Sequence, residues 1–169
     1  MGTTFVTLSR EPSEDERGFW ISDSMLELWL RLLALHLPEP TDVGETARTP
    51  TAQGAAAIRD QWLLASRGYF NGCVPHGMGD ACLTEDGRAV VRAAIEGLLT
   101  SLQRTEEPLD AGTLNLLGIE GSFNKPIERR WLQDVGYAFL DLLDGKIAGL
   151  ASSTDLMPGS KPYQRGPAK

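Results

Sequence analysis

Apolar positions crowd between residues 21 and 37, where the chain reads ISDSMLELWLRLLALHL and eleven of the seventeen side chains are apolar. On a helix they fall on almost every side, interrupted by a stripe of Asp23, Glu27 and Arg31 at four-residue steps. A surface helix carries one apolar stripe, whereas a helix apolar all round has to be enclosed by neighbours. The pattern predicts a central post over about residues 22–37. Ser22 stands at its N-cap, Asp23 faces its positive end, and Glu27 and Arg31 are ordered as an i,i+4 pair. Pro38 and Pro40 end it.

Narrower periodic stretches follow. Residues 50–67 offer Ala55, Ile58, Trp62 and Ala65 as one edge, with Thr49 as cap and Pro50 in the first turn, where a missing N–H costs nothing. Residues 84–102 hold the cleanest amphipathic pattern: Val90, Val91, Ala94, Ile95, Leu98, Leu99 and Leu102 inward, Arg88, Arg92 and Glu96 outward, Thr84 as cap. A short helix is expected over 110–117. A last long one is expected over 125–144, with Pro126 in its first turn and Ile127, Trp131, Val135, Phe139 and Leu142 as its inward edge. The four tryptophans, at positions 20, 29, 62 and 131, fall in or just before three of the long elements, and all four are read as core.

Residues 3–9 alternate weakly and suggest a strand, for which residues 146–151 are the one evident partner. Taken together, the pattern predicts an all-α fold: a single compact bundle of four main helices plus one short helix over residues 1–151, with minor β pairing of the N-terminal segment. Residues 152–169, rich in Pro, Gly and Ser, are expected to form a flexible tail.

Composition narrows the functional classes. The chain of 169 residues fits one domain, and its hydrophobic content of 41% is ordinary for a globular protein. No apolar run reaches the roughly 18–20 residues that cross a bilayer, and the first residues lack a basic start and apolar core. A soluble, cytoplasmic protein without membrane attachment is the expectation. Net charge is −7, but after Asp155 the chain holds Lys161, Arg165 and Lys169 and no acid. Residues 1–155 therefore set thirteen basic against twenty-three acidic side chains, a net of −10. Phosphate neutralisation demands the opposite balance, so nucleic acid is not an expected partner. An acidic body attracts basic proteins.

Candidate chemistry is concentrated in residues 68–83, GYFNGCVPHGMGDACL, a long aperiodic stretch between strong helices. Both cysteines lie here. Two cysteines are too few for a secreted disulfide framework, and reduced thiols are expected. Cys73, His76, Asp80 and Cys82 form one alternative reading as a metal site, because four such side chains can close a tetrahedral zinc shell. Cys73 with His76 forms another, as a nucleophile and its base. Against both stands the plain reading of buried thiols and a turn histidine. The glycines match no phosphate or dinucleotide motif. His36 is read as a helix C-terminal cap, and Glu106/Glu107 and Asp141/Asp144 as solvated carboxylates.

Since no catalytic set is convincing, the expected function is a small acidic, non-catalytic binding protein, an intracellular inhibitor of the immunity or antitoxin kind acting on a basic protein partner. Its contact residues would be Glu14, Asp15, Glu16, Asp42, Glu45, Glu106 and Glu107, with no cofactor. The alternative is an enzyme, or a metal- or small-molecule-binding protein, built on loop 68–83. Self-association into a homo-oligomer is a further expectation should the post be incompletely covered.

Overall fold

The computed structural model describes residues 2–11, 13–37, 50–68, 70–117 and 123–165. Among these, two strands and six helices follow in the order β1 (Thr3–Val6), β2 (Phe19–Ser22), α1 (Asp23–Ala34), α2 (Pro50–Ala65), α3 (Met78–Ala81), α4 (Glu85–Leu102), α5 (Ala111–Leu116) and α6 (Arg129–Leu143). The fold is helix-dominant with a small sheet. The all-α expectation therefore holds only in its coarse form.

The sheet differs from expectation in its partner. β1 pairs antiparallel with β2, Thr3 opposite Ser22 and Phe5 opposite Trp20. Residues 149–151 lie instead along the chain leading into β2: Gly18 donates to the Gly149 carbonyl and Ala151 to that of Glu16. Only three apolar residues, Phe19 to Ile21, stand before Ser22, and so short a run cannot separate a buried strand from the lead-in to a buried helix. Alternation within β2 is visible once the strand is known: Phe19 and Ile21 are buried while Trp20, on the other face, is half-buried, tilted against Phe5 at 5.4 Å.

α1 is the enclosed post. Leu26, Leu28, Trp29, Leu30 and Leu33 are all 0% exposed. Its polar stripe is inside too, with Asp23 at 7% and Glu27 at 4% exposure. Ser22 occupies the N-cap position without a side-chain cap bond. α1 packs on α2, and α4 on α6. α2 buries the expected Ala55, Ile58, Trp62 and Ala65. In α4, Thr84 caps by accepting the Gly87 N–H, and the expected inward positions from Val91 to Leu102 are buried. Asp110 caps α5 through the Thr113 N–H. Phe139 joins the layers, stacked on Trp29 at 5.8 Å and edge-on to Phe19 at 5.1 Å.

α6 starts later than the sequence suggests. Residues Leu109 and Ile127 exchange backbone hydrogen bonds, so Pro126 lies in an extended segment and Glu128 takes the N-cap position. Inward positions are Leu132, Val135, Phe139 and Leu142. Trp131 is only half-buried, with the Arg130 guanidinium 5.1 Å over its ring. The all-core reading of the tryptophans holds for Trp29 and Trp62 alone; Trp20 is half-buried and donates to the Ala151 carbonyl at 3.1 Å. His36 does what its position suggests. Nδ1 reaches the Leu32 carbonyl at 3.0 Å in the last turn, and Nε2 meets Ser101 Oγ at 3.1 Å. No helix among the described residues is long and apolar enough to cross a membrane.

Candidate functional site

The loop between α2 and α4 is fastened at each step. Gly72 N–H donates to Asp23 Oδ2 at 2.7 Å, and Val74 N–H donates to Thr4 Oγ1 at 2.8 Å. Trp62 Nε1 donates to the His76 carbonyl at 3.1 Å. Gly77 then turns the chain at φ +62°, with the Gln61 amide filling the space a Cβ would need. Both the positive φ and the close approach call for glycine. Met78 and Cys82 are buried beyond it.

This anchoring assigns the polar side chains to structural tasks. His76 Nδ1 accepts the Met78 N–H at 3.1 Å, which places the proton on Nε2, facing the Phe5 carbonyl at 3.3 Å. Burial pushes its pKa down, opposed by the bond to Phe5. A neutral ring with its free lone pair already engaged cannot take a proton from a neighbouring thiol. Burial likewise pushes the Cys82 thiol up to about 11, against a smaller opposing pull from Arg88. Cys73 is exposed. Asp80 is paired with Arg10. No group of three or more His, Cys, Asp or Glu side chains among the described residues is arranged to hold a metal ion. Cys73, His76 and Asp80 line one cleft along the loop while Cys82 is buried beyond it, and the four are not gathered as a metal shell.

Two clefts flank the loop. One of about 460 Å³ lies along its outer face, between Arg10, Cys73 and Asp80. The other, about 470 Å³, lies between α2 and the start of α4, floored by Ile58 and Val90 and edged by Gln61 and Asp86.

The acidic candidates occupy separate loops. Glu14 and Asp15 are exposed between β1 and β2. Glu16 is half-buried, its Oε1 accepting from Thr7 Oγ1 at 3.1 Å. Glu106 and Glu107 are exposed between α4 and α5, but arginine stands beside them. Arg129 Nε donates to the Glu107 carbonyl at 2.5 Å, and Arg129 and Arg130 line a depression with Glu106. No hydrogen bond or ion pair among the described residues joins the two acidic loops. Asp42 and Glu45 lie outside the described residues.

The Asp141/Asp144 pair is corrected. Asp144 is exposed and bound by Arg92 at 2.5 Å and Lys146 at 3.1 Å, and those cations, Arg92 first, hold its carboxyl below the usual range. Asp141 is 1% exposed. Its carboxylate accepts from Tyr163 Oη at 2.7 Å and Arg165 Nη2 at 3.4 Å. The sequence pattern places Asp23 at a helix end, Asp141 on the surface and Tyr163 and Arg165 in a tail, and shows none of the bonds that hold them. One signal was present: Asp134, Tyr137 and Asp141 recur at i, i+3, i+7, a polar stripe beside the apolar face of α6.

No family model, curated protein or solved structure matches the chain.

Proposed function

We propose that the protein is a non-catalytic binding protein for a basic protein partner, an inhibitor-type module of the immunity or antitoxin class. The observation that supports this reading is the exposure of Glu14, Asp15, Glu106 and Glu107 on a body of net charge −10 over residues 1–155. The loop that carried the competing chemical readings has His76 engaged by backbone on both ring nitrogens. Unpaired surface carboxylates accelerate encounter with a cationic partner and lose that advantage as salt screens them. Glu14 and Asp15 should matter more than Glu106, because Arg129 and Arg130 stand beside the latter.

The test is capture of partners from the source cell with wild type, Glu14→Lys/Asp15→Lys and Glu106→Lys/Glu107→Lys proteins, at low and high salt. The first pair should slow association roughly tenfold at low ionic strength and flatten its salt dependence. Capture unchanged by both pairs removes the electrostatic reading.

A further inference from the structure

The C-terminal segment divides into two parts held by different means. Up to residue 161 it is fastened by backbone. Trp20 N–H donates to the Leu156 carbonyl, and Ser160 and Lys161 N–H both donate to that of Met157. Gly159, at φ +83°, brings the chain close against Met25 and Val135. Beyond Pro162 the hydrogen bonds among the described residues end on carboxylates of α6: Tyr163 N–H on Asp134 Oδ2 at 3.2 Å, Tyr163 Oη and Arg165 on Asp141. The Arg165 guanidinium also lies 5.2 Å over the Tyr137 ring. Residues 163–165 can leave without unpairing any backbone ladder among the described residues.

What they would leave behind is specific. Asp141 is 1% exposed, yet the side chains that satisfy it all come from this segment among the described residues. A carboxylate buried on a helix without such partners is costly, so the groove demands an occupant that supplies a hydroxyl and a cation together. The occupant in place belongs to the stretch after Asp155, which holds Lys161, Arg165 and Lys169 and no acid. We infer that the groove on α6 formed by Asp134, Tyr137 and Asp141 is a docking site for a basic Tyr-x-Arg segment of a partner polypeptide, and that Tyr163 and Arg165 fill it in the free protein as an internal competitor. This rests on the reading that the partner is basic, but it places the contact on α6 rather than on the acidic loops.

A tethered competitor acts at an effective concentration on the order of millimolar, so a partner segment binds the intact protein weakly and an emptied groove strongly. The emptied groove is made in the full chain by Tyr163→Ala/Arg165→Ala. Two labelled probes are used: a peptide of residues 158–165, and a lysine-rich peptide with Tyr-x-Arg in unrelated surroundings. Both should bind the double variant at least tenfold more tightly than wild type, and Asp141→Asn in that background should abolish the gain. Should the double variant fold poorly, wild type supplies the second measurement. Excess probe should speed tryptic cleavage after Arg165, which is 49% exposed while docked.

Equal binding to wild type and the emptied variant overturns the proposal, as does a gain that survives Asp141→Asn. Binding of the 158–165 peptide alone, or tail exchange between two copies seen as a concentration-dependent dimer, replaces a partner segment by this chain's own. Because the probes are supplied, these outcomes are independent of charge reversal at residues 14, 15, 106 and 107.

Discussion

Thr4 Oγ1 donates to Asp23 Oδ1 at 2.8 Å, joining the first strand to the first turn of the central helix. The same hydroxyl accepts from Val74 N–H, and the other carboxylate oxygen accepts from Gly72 N–H. Two buried side chains thus hold strand, helix and loop together. Replacing Asp23 by alanine leaves two donors, Thr4 Oγ1 and Gly72 N–H, without their acceptor, at a cost of about 2–4 kcal/mol. Thr4→Val should cost about half as much, and the double variant should lose less than the sum, because the two share one network. Urea unfolding of the four proteins checks this. Additive losses would mean that the contacts act separately.

The turn at Gly77 makes a second prediction. Gly77→Ala meets both an unfavourable φ and the Gln61 amide, and should lower stability by about 2 kcal/mol or more, a fall in Tm of roughly 4–8 °C for a chain of this size. Gln61→Ala in the same background should return part of the loss by removing the clash and none of the backbone strain. Thermal unfolding by circular dichroism measures both.

The two thiols should separate cleanly. At pH 8 a thiol with its pKa near 11 is ionised in roughly one molecule in a thousand. Ellman's reagent should therefore titrate one thiol of the folded protein, and two in denaturant. Cys73→Ser should abolish the native reaction, and Cys82→Ser should leave it unchanged.

His76 gives stability a pH dependence of known sign. Burial lowers its folded pKa below the ordinary value of 6.5, so the unfolded chain binds the proton more tightly. Its contribution is complete above about pH 6.5 and is lost as pH falls from there toward the folded pKa. The urea midpoint of wild type should drop between pH 7.5 and 5. His76→Asn should be less stable at pH 7.5 and show a shallower slope over this window. An equal slope would place the proton uptake elsewhere.

Periodicity made α2, α4, α5 and the enclosed character of α1 legible, because burial on one face or on all faces writes itself into spacing. It failed at β2, where three apolar residues directly before α1 are too few to show a period of their own, and at residues 125–128, where Pro126 suits an extended segment as well as a first helical turn. It failed again at Asp141. A carboxylate near another carboxylate reads as surface, and nothing local says that a tyrosine and an arginine more than twenty residues on will reach it.

The sequence by itself determined the helix-rich character, the buried post, the cap at Thr84 and the division between an acidic body and a basic end. These depend on short-range spacing and on charge, which survive any fold. Only the tertiary structure decided the partner of β1, the anchoring of loop 68–83 that ties His76 to backbone, and the seating of Tyr163 and Arg165 on α6. Each depends on polar groups meeting across long stretches of chain, where one hydrogen bond is set by the position of whole elements and leaves no periodic trace.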